Sequence, residues 1–412
     1  MCIRDSLPGA GFFCWFAIVE AGFSVLLPMD FMETALLGWL IYAVIYPVVG
    51  IRLGILPYTP GPPETGSGYY GFVNGPWKYK YWAWTGLFLG LALWVLWLHK
   101  GHIVRVFSSL WGRGGEEQGI PYRLMSIGLI IMSIIFIIFL TASGVPVIMA
   151  LFIWLTFSLM AIGQARILGE YFGRIPVYAP VMLPANYAFG ASIGLWDWKL
   201  PTDSTALFRT QFMTAAMGTG GPRFYTGSWK SIWLYKIGDM TGTRARDIFI
   251  ALVICLIIVP LWTNFFNLWW VHHMGGLTRV SMGFYSGVVG AVTNNYTNAP
   301  GNYSPTDWFN YLISGAMIII LVCYLRTRFP WFFINPVALI TITFWDWMWL
   351  NVLVGFIIKF IALKIGGPKF LEERVYPVVV GYLMGYGTAM GIAMFLAFLT
   401  KAIPVFQANF IP

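Results

Sequence analysis

The chain has 412 residues, of which 58% are hydrophobic and 10% are charged, whereas a soluble domain carries about 25% charged residues. This composition excludes an ordinary soluble globular protein and places the chain in the membrane class. The formal net charge is +9, but no basic run is interleaved with aromatic residues on a soluble segment. Nucleic acid is therefore not an expected partner, and Lys and Arg are expected in cytoplasmic loops.

Long apolar stretches recur along the chain. They are continuous rather than alternating, which favours helices over a barrel, and a membrane helix needs about 20 such residues. The predicted spans, in chain order, are 11–28, 31–50, 81–98, 124–142, 145–164, 247–269, 309–324, the run 332–360, and 375–399. Two Gly-rich stretches, 178–196 and 283–293, are predicted to be re-entrant or partly inserted. The predicted fold is all-α, a polytopic transmembrane helical bundle with about 8–11 spans.

The domain prediction is a single transmembrane domain over residues 11–400, with a cytoplasmic loop at 165–246 and an external tail at 401–412. Residues 1–10 are expected to be an artefact or a disordered tail, because the opening MCIRDS looks like translated adapter sequence. Within the cytoplasmic loop, SIWLYKIGDMTGTRARD is predicted as a short amphipathic helix at the membrane surface, with an ordinary basic loop as the alternative.

The apolar run 332–360 decides the predicted topology. Loops on one side of the predicted spans carry 18 Lys and Arg and the opposite loops carry 5, which predicts that the first set is cytoplasmic. Basic loops flank the run on both sides, so the run must enter and leave on the same side. We therefore expect at least one re-entrant helical hairpin, with a descending piece at 331–344 and a returning helix at 346–363. Lys359 is expected to extend towards the inner surface.

Charged groups inside a bilayer are functional candidates, because each costs about 2.5–3.5 kcal/mol at the centre of a helix. Glu20 falls within the first predicted span, and Asp30 and Glu33 follow the break at Pro28. Residues three apart share a helical face, so Asp30 and Glu33 are candidates for a proton or cation relay in which nearby carboxylates raise each other's pKa. The alternative for Asp30 is that it caps the next helix.

Other polar groups are candidates for a substrate or ion pathway. Asp346 and Asn351 form a polar patch near the middle of the 332–360 run, where a hairpin turn would line a cavity or be buried in protein. Asn294 and Asn295 lie in an external interval rich in Asn, Tyr and Thr, whose neutral groups suit a polar or chelate substrate. A plain external loop is the alternative.

The segment ARILGEYFGRIP supplies the gate candidates. Arg166 and Glu170 are separated by four residues, so their side chains are expected to meet on one helical face. Either the pair forms a gate salt bridge, or it is an exposed pair that ends the helix. The four Cys and four His form no ligand-like cluster, so no metal, no cofactor and no catalytic group is expected.

Three stretches resemble the oligopeptide-transporter-like superfamily, in particular its uncharacterised prokaryotic integral membrane branch. They are LPMDFMETALLGWLIY, the segment from PYRLMS to ARILGEYFGRIP, and the segment from RTRFPWFFINPVALI to KIGGPKFLEER. The Asn-Pro-Gly and Lys-Ile-Pro-Pro-Arg signatures of the eukaryotic peptide transporters are absent from the sequence. The resemblance implies that the chain is the C-terminal two thirds of a longer protein, an N-terminally truncated metagenomic fragment in origin.

The functional expectation is a secondary active transporter rather than an enzyme. The resemblance implies small peptides or metal-chelate-like solutes as substrate, with cation or proton coupling, in a prokaryotic cytoplasmic membrane. The expected partners are membrane lipids and a small-molecule or peptide substrate, with a homo-oligomer left open. A non-transporting scaffold subunit and a membrane-embedded enzyme are the alternatives. The enzyme would need a convergent nucleophile or metal cluster, which the sequence does not supply.

Asp346 provides the first test. If it lines the pathway, Asp346→Asn should lower transport while leaving expression unchanged, because the substitution removes a charge and keeps the shape. The measurement is uptake into proteoliposomes. Unchanged uptake would assign Asp346 to capping a helix.

Overall fold

The computed structural model describes most of the chain. The described residues are 7–12, 16–56, 77, 79, 82, 86–112, 115–117, 119–143, 145–170, 231–274, 305–342 and 348–402. Almost all of them are helical, which confirms the all-α prediction. The strands of the described residues are a two-residue antiparallel pair, β1 (Glu116–Glu117) and β2 (Ile120–Pro121).

Helices of the described residues follow one another along the whole chain. They are α1 (Ile18–Leu26), α2 (Met29–Trp39), α3 (Tyr46–Arg52), α4 (Gly86–Leu98), α5 (Lys100–Ser108), α6 (Tyr122–Ala142), α7 (Val147–Glu170), α8 (Ser231–Thr241), α9 (Ala245–Met274), α10 (Pro305–Arg328), α11 (Pro336–Thr341), α12 (Trp349–Phe370) and α13 (Tyr376–Ala397). A 3-10 turn covers Ser109–Trp111, and π-helical segments cover Leu40–Ile45, Leu371–Val375 and Phe398–Ala402.

The chain divides into two compact units. The first comprises Met1–Tyr79 and Phe333–Pro412, and the second comprises Lys80–Phe332. The first unit contains α1–α3 and α11–α13, and the second contains α4–α10.

Each predicted span contains a helix among its described residues, but the span 11–28 holds only the nine-residue α1, and the run 332–360 holds α11 and the start of α12. Five helical segments of the described residues are long and apolar enough to cross a membrane, or six if the bent pair Gly86–Leu98 and Lys100–Trp111, which meets at 66°, is one span. The helix predicted inside the basic loop is confirmed as α8, which ends at Thr241 before Gly242, where φ is 72°. The stretches 178–196 and 283–293 lie outside the described residues.

Two of the apolar stretches are broken helices. The first breaks at Leu27–Pro28, between α1 and α2, because Leu27 is extended (φ −69°, ψ 150°) and proline disfavours a helical residue before it. The run 332–360 is also interrupted, since α11 ends at Thr341 and α12 begins at Trp349. Both breaks fall in the first unit, where they position the polar groups described below.

In the second unit, α4 and α10 pack with their backbones in close contact. A Cβ added at Gly86 would lie 2.7 Å from the Cα of Gly315, and a Cβ at Gly90 would lie 2.8 Å from the Cα of Ala316. Small residues let membrane helices approach this closely. The pairing of Gly86 with Gly315 therefore holds this crossing together.

The crossing of α4 and α10 predicts a large effect of one methyl group. Gly86→Ala should lower the free energy of unfolding by about 1–3 kcal/mol, because the methyl meets backbone that cannot move aside. Thermal unfolding in detergent measures the change. The control is Gly128→Ala on α6, where an added Cβ has no atom within 4 Å. Equal unfolding temperatures for the two variants would contradict the tight crossing.

Candidate functional site

The candidate site lies in the first unit, where α12 runs beside the short helix α1. Asn351, Gly355 and Lys359 recur at intervals of four residues on α12, so they share one face. In order, they contact Ala17, Ser24 and Leu27. Both series ascend together, so the two helices run parallel. At about 1.5 Å per residue, the eight steps from Asn351 to Lys359 span about 12 Å, close to the length of the nine-residue α1.

Asn351 lies at the N-terminal end of α1. Its Oδ1 accepts a hydrogen bond of 3.0 Å from the backbone N–H of Ala17, the residue preceding the helix. The side chain is completely buried. A helix N-terminus exposes N–H groups that its own turns cannot satisfy, so Asn351 acts as a cap supplied by another helix. The sequence placed Asn351 in a polar patch, and the structure gives it this structural contact.

Gly355 allows the middle of the two helices to meet. A Cβ at Gly355 would lie 2.6 Å from the Cβ of Ser24 and 3.0 Å from the N of Val25. Any side chain there would force the helices apart. The close approach brings the next turn of α12, with Lys359, to the C-terminal end of α1.

Lys359 lies at that C-terminal end, and its side chain is buried. The residue is 5% exposed, and its Nζ donates a hydrogen bond of 2.6 Å to the backbone carbonyl of Leu27. The ring centroid of Tyr376 lies 5.4 Å from the same Nζ, within the range of a cation–π contact. The prediction that Lys359 extends to the inner surface is wrong, because the ammonium finds the carbonyl end of α1 inside the unit.

Asp30 is part of a second polar contact, with Asn335. The Nδ2 of Asn335 donates to Asp30 Oδ2 at 3.1 Å, and its backbone N–H donates to Thr34 Oγ1 at 2.9 Å. Asn335 Oδ1 accepts from Val337 N and Ala338 N, which caps α11. The alternative that Asp30 caps its own helix is wrong, because Pro28 is the capping residue and Asp30 lies in the first turn.

The C-terminal part of α11 is held by a tyrosine. The hydroxyl of buried Tyr79 donates to the carbonyl of Leu339, and the rings of Tyr79 and Tyr42 are 4.4 Å apart. Burial, together with Tyr42, raises the pKa of Tyr79 well above its ordinary value of 10.0. The phenol therefore stays protonated, and can donate, at any physiological pH.

The remaining predicted pathway residues are distributed as follows. Glu20 is half-buried on α1, one turn before Ser24, whose hydroxyl donates to the Glu20 carbonyl at 2.8 Å. Glu33 is half-buried on α2, one turn after Asp30. The relay between Asp30 and Glu33 stays a prediction. Asp346, Asn294 and Asn295 lie outside the described residues.

In the second unit, the structure forms the predicted pair of Arg166 with Glu170. Arg166 Nη2 forms a salt bridge with Glu170 Oε1 at the end of α7. The two side chains are 47% and 21% exposed. Such exposed pairs contribute only about 0.3–0.5 kcal/mol. The same turn binds α8, since Trp233 Nε1 donates to the carbonyl of Leu168 at 3.0 Å.

Gln164, on the same helix, is a buried polar residue that the sequence did not single out. Its side chain is completely buried, and among the described residues neither its Nε2 nor its Oε1 has a hydrogen-bond partner. An unsatisfied buried amide costs about 1–3 kcal/mol. Gln164 is therefore a further candidate for a polar contact with a ligand.

The first unit contains polar groups that can bind a ligand. The described residues contain no group of three His, Cys, Asp or Glu side chains able to hold a metal ion. The break at Leu27–Pro28 instead presents one ammonium, one carboxylate and helix ends. Such groups recognise charged or dipolar ligands.

Lys359, like Gln164, is a functional candidate that sequence reasoning missed. Its signal was present, since Asn351, Gly355 and Lys359 repeat every four residues in NVLVGFIIK. Lys359 lies five residues before Lys364 in the sequence, and this short separation predicted a position near the inner membrane surface. Only its position opposite the carbonyl end of α1 shows that it is buried.

The helices and this site define a helical protein of the membrane-spanning type with interrupted helices. Residues 11–408 match the family of unknown function DUF6785, and the chain belongs to that family. No curated protein and no solved structure matches the chain.

Asn335 provides the test of the second contact. Asn335→Ala should lower the free energy of unfolding by about 1–3 kcal/mol, because α11 loses its cap and Asp30 loses a hydrogen-bond donor. Thermal unfolding in detergent measures this change. Asn310→Ala, at an exposed position on α10, is the matched control and should leave stability unchanged. Wild-type stability of Asn335→Ala would show that the contact with Asp30 is dispensable.

Proposed function

We propose that the chain is part of a secondary active transporter of small peptides or metal-chelate-like solutes, coupled to protons or another cation and working by alternating access. The observation that carries the proposal is the Lys359 ammonium, buried against the Leu27 carbonyl at a break between two helices. Secondary transporters bind substrates and ions at broken helices, where helix ends supply fixed partial charges. A charge retained at such a depth marks a pathway more often than a structural contact.

The Asp30–Asn335 contact supports the same proposal. It places a carboxylate beside the break, one helical turn from Glu33. Together with Glu20, these groups supply acceptors for a proton or a cationic substrate group, while Lys359 supplies donors for a carboxylate. A peptide and a metal chelate both carry charges of both signs. The resemblance to the oligopeptide-transporter-like superfamily points to the same two substrate classes.

The proposed arrangement in the membrane has about 8–11 spans. The interruption between α11 and α12 is the proposed re-entrant hairpin, the basic loops are proposed to be cytoplasmic, and the membrane is proposed to be that of a prokaryotic cell. The pair of Arg166 and Glu170 serves as a gate at the cytoplasmic end of α7. An exposed pair is weak enough to open at a cost of well under about 1 kcal/mol, which a gate requires.

A scaffold subunit and a membrane-embedded enzyme, the two alternative functions, predict different behaviour of Lys359 and of the substrate. In a scaffold subunit Lys359 would have only a structural role, so replacing it with an apolar residue would lower stability by orphaning the Leu27 carbonyl and would change no uptake. A membrane-embedded enzyme would convert its substrate, so that products rather than intact substrate would accumulate. Uptake measurements with product analysis therefore separate all three functions.

The transport test uses proteoliposomes and two probes, a labelled dipeptide and a ferric chelate, with and without an inward proton gradient. Uptake should rise with the gradient, and Lys359→Met should lower the initial rate about tenfold or more, since a charged hydrogen bond contributes about 1.5–3 kcal/mol. The matched control is Lys364→Met, an exposed lysine on the same helix, which should transport normally.

Three outcomes would contradict the proposal. Absence of uptake of either probe under both conditions, with folded protein, would count against transport. Unchanged uptake by Lys359→Met would remove the break at Leu27–Pro28 from the pathway. Intravesicular hydrolysis of the dipeptide without accumulation of the intact peptide would favour the enzyme.

A further inference from the structure

The contact of Lys359 with α1 pairs a fixed cation with the negative end of a helix. The carbonyl groups in the last turn of a helix carry about half an elementary negative charge. Leu27 is the capping residue at that end, and its extended backbone (ψ 150°) turns its carbonyl out of the helix. That carbonyl accepts from Lys359 Nζ at 2.6 Å. Pro28 follows and disfavours a helical conformation at Leu27, so the helix ends here.

The partners of the ammonium are neutral. Among the described residues they are the Leu27 carbonyl oxygen and the face of the Tyr376 ring. A carbonyl oxygen at a helix end and an aromatic face are ligands that accept any monovalent cation, because they offer a dipole or a quadrupole and not a fixed counter-charge. The site formed by the Leu27 carbonyl and the Tyr376 ring therefore suits a monovalent cation, whether an ammonium group or a metal ion.

The Lys359 ammonium is held in place by the close packing of α12 on α1. Gly355 brings α12 close to α1, and Lys359 lies one turn beyond it on the same face. The side chain therefore reaches the carbonyl from a rigid helix. Because the residue is 5% exposed, a soluble ion would have to displace the amine to reach Leu27.

We propose that the Lys359 ammonium is a resident cation, which occupies at the carbonyl end of α1 the place that a monovalent metal ion would otherwise take. Shortening this side chain creates a binding site for Na⁺ or a small primary alkylammonium ion. Binding of the added ion does not depend on transport. The consequence for coupling, that transport by the wild type needs no Na⁺, rests on the proposed function.

The test measures cation-dependent stability and binding in the purified full chain, without transport. Thermal unfolding is followed in NaCl, ethylammonium chloride and N-methyl-D-glucamine chloride at equal ionic strength, and binding of radioactive Na⁺ is measured in parallel. Lys359→Ala should show a saturable rise in unfolding temperature of about 2–4 °C with Na⁺ or ethylammonium, because a ligand that binds only the folded state stabilises it. N-methyl-D-glucamine is larger than the lysine side chain that the substitution removes and should have no effect.

The controls are the wild type and Lys364→Ala, which removes an exposed lysine from the same helix. Lys359→Ala should bind one more Na⁺ than either control and should show a response to Na⁺ that both controls lack. Equal Na⁺ binding by Lys359→Ala and the wild type would overturn the proposal, because the variant would then have gained no site. Lys359→Ala that folds but responds to neither small cation would overturn it as well.

A folding defect in Lys359→Ala is also informative. Extraction in the three salts then gives the fraction of monodisperse protein in each. Selective recovery in NaCl or ethylammonium chloride supports the proposal, since the added ion replaces the lost charge. Equal loss in all three salts overturns it and assigns Lys359 a purely structural role. Either result holds whether or not the chain transports the two probes.

Discussion

The first unit depends on how the two ends of α1 are satisfied. This helix has only nine residues, and a helix so short is marginal without tertiary contacts. Asn351 accepts from the N–H at one end, Lys359 donates to the carbonyl at the other, and Gly355 lets the helices meet between them. Because a single face of α12 supplies all three contacts, a rotation or shift of α12 would release both ends together.

Under the proposed function, this arrangement supplies contacts that a transport cycle can use. In alternating access, groups of helices move around a fixed site, and the parts that move must have contacts that can break together. The contacts of α1 with α12 have that property, since the two hydrogen bonds and the Gly355 packing contact lie along one stripe. The Asp30–Asn335 contact couples α2 to α11 in the same unit. The two interrupted helices are thus each held to a neighbour by polar groups at the break.

Lys359 and Asn351 are both buried polar residues on α12, but they contact opposite ends of α1. Asn351 is completely buried and accepts a hydrogen bond from a backbone N–H. Every helix N-terminus needs such an acceptor. Lys359 is buried to a similar extent, and desolvation of an ammonium is far more costly than that of a neutral amide. A neutral donor would satisfy the same carbonyl. The presence of a lysine where a neutral group would suffice supports the role proposed for Lys359.

The sequence by itself determined the class, most helix positions and the break at Pro28, because composition, apolar run length and proline act locally. It also predicted the pair of Arg166 with Glu170, since four residues form one helical turn. Only the tertiary structure decided that Asn335 meets Asp30 and that Lys359 is buried against Leu27. Those partners lie 305 and 332 residues apart in the chain, and periodicity gives no information about which distant helix a face will meet. The four-residue repeat of Asn351, Gly355 and Lys359 is visible in the sequence. That this face packs on α1 is visible only in the structure.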